Sequence, residues 1–497
     1  MVYPHSYRTE HSETKTTNSV YGDYYAAMKS KKIKIQPNLL TIIQYIDSYR
    51  SQFLDDLEEA VKIKSITTDL KYRDEVKNMI KFTEGWLTKL DMKYECFNIG
   101  FYQVDDQKVR LPPVILASLG NDPKKKTVCA YLHLDVPDPT GRDWVTDPWT
   151  LTQKNTNYFG NGAACGKGPL MAWFHVVQAF KGSNMPLPVN LKFVIESMHH
   201  ENSQGFADFV ATRSQDFFSS VDFVVQCDSE WLGEKYPCII YGAVGILHFQ
   251  VTIEKQENSK TEIKDDMINI FKKIVDDEGK ITIKGFHDYV EQITPDEEKI
   301  YENIQEFDPE EIRDSLPEHK KSWDKVKLLM SFWRLPSIFV DDIEECICEK
   351  KDTSVVKRNF ILKIVPKQVV DRAERLIKQQ FQTSAKKLNI ENKVTCKMVA
   401  STRPWFENYR SPSFAAARKA IIQIYKEDPN LIREDRGRET ATIFDNVLEK
   451  NIIILPLCAK GADPGEANEN ISSRNYFEGT KLIAAYLFQL SYLKEES

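Results

Sequence analysis

Residues 195–205, IESMHHENSQG, set two adjacent histidines, His199 and His200, among acids and amides directly after the apolar run LKFVI. A neutral imidazole offers a ring lone pair near physiological pH, so histidines at the end of an apolar strand suit metal ligation. Three more segments end in the same way. In YLHLDV (131–136), His133 and Asp135 stand two apart, and an extended backbone points both to one face. A carboxylate beside a ligating histidine orients its ring. The loop FGNGAACGKGP (159–169) places Cys165 ahead of a helix-like run, and QCD (226–228) places Asp228 after the strand-like VDFVV. Each has a bland alternative: a strand histidine hydrogen-bonded in a core, an aspartate capping a helix. Four together at successive strand ends make a candidate site.

The glycine loop resembles a phosphate cradle without matching one. Gly168 stands where a P-loop needs Ser or Thr, and Cys165 stands where the dinucleotide pattern needs its third glycine. DDEGKITI hints at a calcium loop, but Ile274 and Gly285 occupy its first and last ligand positions, so it reads as a tight turn. Cys346 and Cys348 read as two thiols on one strand face rather than as a metal pair.

The elements that must position these residues follow from periodicity. Amphipathic helices run through LLTIIQYIDSYRSQFLDDLEEAVKI and RDEVKNMIKFTEGWLTKL. Apolar strands (VILASLG, KKTVCAYLHLDV, NLKFVIESM, VDFVVQCD) then alternate with helix, as in GPLMAWFHVVQAFKG. That alternation predicts an α/β fold, a mainly parallel sheet with helices on both faces and its site at the carboxyl ends of the strands. After residue 245 the pattern becomes α+β: ILHFQVTIE and FILKIVP read as antiparallel edges around helices such as DDMINIFKKIV and VVDRAERLIKQQF. The expected organisation is an extension over 1–38, an α/β domain over 39–245 and 405–497, and an inserted lid or dimerisation domain over 246–404.

Net charge −6 and a pI near 6.0 disfavour a nucleic-acid surface, and no apolar run reaches the length of a membrane helix. The polar first residues show no apolar export core. Nine scattered cysteines then read as reduced thiols in a cytoplasmic protein, where the sequon Asn470-Ile-Ser472 goes unused.

Several ordered segments resemble the zinc metallopeptidase family of carnosine dipeptidases and cytosolic non-specific dipeptidases. They include PPVILASLGNDPKKKTVCAYLHLDV, DWVTDPWTL, GKGPLMAW, WLGEKYPCIIYGAVG, FWRLPSI and NYFEGTKLIAAYL, and the resemblance runs from about residue 40 to the C-terminus. It implies a di-zinc α/β domain interrupted by a dimerising lid, hydrolysing short peptides with a glutamate base. By that resemblance His133 falls on the first zinc histidine, Asp135 on its orienting aspartate and Asp228 on the aspartate completing the first zinc site. The bridging aspartate falls on Cys165, the catalytic glutamate on His199 and a metal-binding glutamate on His200. The distal zinc histidine falls near Ala467, and the lid histidine has no counterpart between His248 and His287. The substrate-binding arginine falls on Lys363, which keeps charge but not the two-pronged fork. The glycine-rich turn for the substrate carboxylate reads REDRG (433–437).

Two dications ~3.5–4 Å apart need a short carboxylate bridge. With Cys165 there, the expectation is at most one zinc, held by His133, Cys165 and Asp228 with His200 or water as the fourth donor. With the base and lid histidine replaced, the expected function is a peptidase-family protein without normal catalysis. It would act as a binding or regulatory homologue with a small peptide as ligand, as a homodimer or paired with an active relative. The alternative is a mono-zinc hydrolase of altered specificity with His199 as base.

Overall fold

The computed structural model describes residues 34–104, 107–276, 278–348 and 353–494, with the side chains of 345–348 and 353 left aside. Most of the 1–38 extension and the side chains of Cys346 and Cys348 therefore lie outside the described residues. Among the described residues, no helix is long and apolar enough to cross a membrane.

The first amphipathic run forms two helices, Pro37–Ser48 and Arg50–Lys62, separated at Tyr49 (φ −109°, ψ 18°). Leu39, Ile42 and Ile46 of the first and Phe53, Leu57, Ala60 and Val61 of the second form the buried stripe that the spacing predicts. Pro37 opens the first helix, where its missing N–H leaves no partner unmet.

The large sheet has nine strands. Its path runs Lys93–Phe97, Val114–Leu119, Asn190–Glu196, Thr127–His133, Phe223–Gln226, Asn451–Ile454, Cys238–Ala243 and Trp405–Phe406, with Asn430–Glu434 parallel to Cys238–Ala243. The pairings of Thr127–His133 with Asn190–Glu196 and Phe223–Gln226, and of the latter with Asn451–Ile454, are parallel. All seven residues of Thr127–His133 are buried. Since successive side chains point to opposite faces, both faces of this strand are covered, and the α/β expectation holds. The helices Lys167–Gly182, Pro412–Tyr425 and Ser473–Ser491 pack together in the same core.

A second sheet of five antiparallel strands has the path Ser337–Val340, Thr353–Ile364, Gly245–Glu254, Lys393–Thr402, with Glu344–Cys348 also on Thr353–Ile364. The two segments expected as edges are therefore its interior strands. The apolar alternation of Gly245–Glu254 feeds a separate core with Leu247, Phe249, Val251 and Ile253, joined by Phe271, Ile377 and Phe381 from the flanking helices. That pattern marks one covered face and says nothing about the strand's place in the sheet.

One stretch within 246–404 packs elsewhere. Tyr301, Ile304, Leu329 and Trp333 join the core of the large sheet. Glu297 fastens this stretch: its carboxylate meets Arg433 Nη2 at 2.6 Å and Arg334 Nη1 at 2.9 Å, and accepts from Tyr301 at 3.0 Å and Tyr241 at 3.2 Å. All of these side chains are buried. Removing one partner of a buried ion pair leaves the others uncompensated, at a cost of ~3–5 kcal/mol. We expect Glu297→Ala to lower the unfolding free energy by that amount in urea titration while far-UV circular dichroism stays unchanged. A loss below ~1 kcal/mol would show that water reaches the two arginines.

Candidate metal centre

The parallel core delivers the site residues. His133 closes the strand Thr127–His133 in register with Glu196, which closes Asn190–Glu196. Asp135 follows two residues after the first strand end, and Asp228 two after Gln226, the end of Phe223–Gln226. Past Glu196 the chain enters a 3-10 turn, His199–Glu201, then reverses through Asn202 and Ser203 at φ +56° and +47°. All leave the sheet at carboxyl strand ends, where an open α/β sheet places its ligands.

The glycine loop closes over these ends. Gly166, at φ +85°, precedes the helix Lys167–Gly182. A Cβ there would lie 2.9 Å from His133 Cε1, so only glycine lets the loop lie against that ring. Cys165 Sγ consequently sits 3.4 Å from His133 Nε2. The His199 ring stacks on His133 with centroids 4.1 Å apart and 21° between planes. Among the described residues, His133, Cys165 and His199 are the one group whose donor atoms all lie within 4.8 Å of one another. The expected set shared His133 and Cys165 but chose His200 and Asp228. The 3-10 turn brings His199 toward His133 as well, while the backbone N–H of His200 donates to Asp135 Oδ2 at 2.9 Å.

Each donor histidine has an outer partner. His133 Nδ1 faces Asp135 Oδ1 at 3.4 Å, and Asp135 Oδ2 also accepts from Thr67 Oγ1 at 3.2 Å. His199 Nδ1 lies 2.8 Å from Tyr131 Oη, whose proton goes to Glu196. That direction assigns the imidazole proton to Nδ1 and leaves the Nε2 lone pair free. Glu196 Oε1 accepts a further bond from Ser203 Oγ at 2.8 Å.

Burial works against charge throughout this cluster, and neighbours decide the balance. Burial, with His133 and His200 nearby, holds His199 well below the ordinary imidazole pKa, so it is neutral. Burial lowers His133 too, but Cys165 and Asp135 beside it outweigh that and raise it well above. Burial lifts the Cys165 thiol despite His133. Asp135 is buried, yet His133 and His200 hold it well below the carboxylate range. Burial carries Glu196 up to about 8 and Glu469 up to about 7.

The donor set suits zinc. Two ring nitrogens, both neutral once His133 gives up its proton, and a sulfur match its N and S preference, and the outer partners orient the rings. Asp228 Oδ2 and His200 Nε2 are buried without hydrogen-bond partners, an arrangement that a cation would relieve. Arg438 Nη1 lies 3.9 Å from Asp228 Oδ2 and donates to its backbone oxygen at 2.9 Å. Gly465 faces His200, its absent side chain pointing toward Cε1 at 3.6 Å, and Glu469 is spent on backbone N–H groups of the glycine loop.

A cavity of about 350 Å³ opens on the cluster. Cys165, His199, His200 and Asp228 line it from the large body, Arg436–Thr440 from the turn after Asn430–Glu434, and Ile246, His248 and Thr402 from the second sheet. The register of Gly245–Glu254 against Lys393–Thr402 shifts between His248 and Phe249, a bulge of the kind that re-aims side chains. His248 is the exposed position in the otherwise covered strand. Sequence reading passed over it, as it did Tyr131, Arg438 and Glu469. The exposed histidine in an alternating strand was a usable signal; Glu469, more than 300 residues from the loop it serves, offered none.

Two expected contacts fall elsewhere. Lys363 Nζ meets Asp435 Oδ2 at 3.2 Å and packs over the Phe339 ring, outside the cavity lining. Arg433, expected in the carboxylate turn, belongs to the strand Asn430–Glu434 and is buried on Glu297. Only the later residues of the turn reach the cavity. Asn470 of the sequon is buried, donating to Gly461 and Asn468 carbonyls.

Comparisons with known proteins agree with this geometry. The chain is 33% identical to the Beta-Ala-His dipeptidase of Rattus norvegicus over 470 residues, covering 91% of this chain and 95% of that one. It is 31% identical to the Cys-Gly metallodipeptidase dug1 of Schizosaccharomyces pombe, covering 90% and 98%. The crystal structure of human carnosine dipeptidase 1 superposes with a TM-score of 0.81 at 32% identity, over 93% of this chain and 100% of that one. The description of Peptidase family M20/M25/M40 matches residues 129–489, and with the strand-end donor cluster this establishes that the chain is a member of that peptidase family.

Proposed function

We propose that this member of the peptidase family is a one-metal binding homologue that has lost ordinary peptide hydrolysis. The observation that carries the reading is the commitment of the acids around the donor cluster. Asp135 is taken by His133, Thr67 and the His200 backbone, Glu196 by Tyr131 and Ser203, and Glu469 by three backbone N–H groups. Asp228 lies beside Arg438, a permanent cation. A general base must reach the proton it removes, and Asp135, Glu196 and Glu469 are held by these other bonds. His199, at the position expected for the base, has one nitrogen on Tyr131 and the other in the donor cluster.

His133, Cys165 and His199 would hold the metal, with Asp228 or His200 available as the fourth donor. A zinc ion there would supply Lewis-acid polarisation of a bound carbonyl. The relatives' names, Beta-Ala-His dipeptidase and Cys-Gly metallodipeptidase, support a dipeptide-sized ligand for the cavity. We infer a cytoplasmic protein, consistent with free thiols at the cysteines among the described residues, and propose that it acts as a homodimer or paired with an active relative.

Metal analysis of dialysed protein should find one zinc per chain, lost in Cys165→Ser, with no turnover of β-alanyl-histidine or cysteinyl-glycine. Two zinc ions per chain overturn the reading. So does hydrolysis abolished by His199→Ala, which would restore the mono-zinc hydrolase.

Binding must also displace protons, since the metal takes a thiolate and neutral imidazoles. The raised Cys165 and His133 values mean that the metal-free site retains protons near pH 7. Zinc affinity should therefore rise with pH from 6 to 8. Calorimetry in buffers of different ionisation enthalpy should register proton release on binding, and release of no protons would remove Cys165 from the ligand set.

A further inference from the structure

The glycine loop GNGAACGKG has the look of an anion cradle, and in the fold its N–H groups do converge on an anion. That anion is the chain's own Glu469 carboxylate. Oε2 accepts from Gly162 N–H at 2.9 Å, while Oε1 accepts from Ala164 at 2.8 Å and Cys165 at 2.7 Å. The Glu469 backbone oxygen also accepts from Gly160 N–H at 3.0 Å. The residue is fully buried. Its loop is braced from outside by Asn468, which accepts from Val145 N–H at 2.7 Å and donates to Asp143 O at 3.0 Å, and by Arg142, which donates to Gly465 O at 2.8 Å.

Burying a carboxylate is expensive unless hydrogen bonds replace its water. Three backbone donors do so here, and charge-assisted bonds of this kind are short and strong. The shortest falls on Cys165, the residue whose Sγ faces His133. Without the carboxylate, three consecutive-loop N–H groups would be buried and unpaired, and the loop would have to open to find water.

We propose that Glu469 is a positioning residue of the metal centre: it locks the glycine loop so that Cys165 presents its sulfur to His133 and His199, and thereby sets the metal affinity. The inference rests on the one-metal reading above. Partners that orient metal ligands typically contribute ~10–100-fold in affinity. Glu469→Ala should weaken zinc binding by that factor, with the stoichiometry of one unchanged. Glu469→Gln keeps an oxygen for Ala164 and Cys165 but turns an amide N–H against Gly162, so its loss should be intermediate.

Zinc affinity of the full chain, read by competition with a chromophoric chelator, tests this. Asn468→Ala, which loosens the same loop without touching the cradle, serves as the control and should stay within about twofold of wild type. Should Glu469→Ala fail to fold, Glu469→Gln decides alone, and wild-type affinity in the folded variant overturns the inference. An equal loss in Asn468→Ala and Glu469→Ala also overturns it, because the effect would then be general loosening of the loop. Wild-type protein that takes up no zinc overturns the one-metal reading and this inference with it. Wild-type uptake with unaltered Glu469 variants overturns the inference alone.

Discussion

His133 is buried with Nε2 against the Cys165 thiol, Nδ1 against Asp135 and its ring face on His199, and Cys165 and His199 arrive from different parts of the chain. The parallel pairing of Thr127–His133 with Asn190–Glu196 sets the height at which His133 and the 3-10 turn emerge. Gly166 lets the loop touch the ring. Glu469 holds that loop from the C-terminal side. The centre is therefore a junction of backbone constraints, and its side chains have little freedom to rearrange without moving main chain.

Charge follows the same logic. So many ionisable groups in a dry region are tolerated because nearly all have a partner. Asp135 lies between two imidazole-bearing segments, and Glu434, held at about 2, is paired with Arg438. Arg438 also reaches the Asp228 backbone and Ser229, which brings a fixed positive charge to the rim of the donor cluster. A cluster already adjacent to a guanidinium accommodates one dication better than two, because like charges repel strongly where water is scarce.

The cavity depends on how the two sheets are joined. Its floor belongs to the large body and one wall, with His248 and Thr402, to the second sheet. Glu297 anchors part of the intervening chain onto the large sheet through Arg433 and Tyr241, and Arg334 and Tyr301 of the same stretch complete its partners. Arg433 serves that anchor, so the turn that follows it approaches the cavity from a strand already locked in place. Only Arg436 and the residues after it are placed to meet a ligand.

Periodicity was enough to read the α/β alternation, the buried stripe of the first two helices and the strand-end placement of His133, His199, His200 and Asp228, because burial imposes those patterns on residues close together in the chain. The residue types at the positions that the resemblance assigns to metal and base were equally legible, since side-chain chemistry needs no coordinates. Which histidine joins the donor cluster was not, because a 3-10 turn and two positive-φ residues set the direction of each ring. Nor were the roles of Glu469, Arg438 and His248. Glu469 and Arg438 act on segments 200 to 300 residues away, and His248 reaches the cavity through a bulge against a strand more than 140 residues on. Contacts of that range depend on topology and register, and only the tertiary structure decided them.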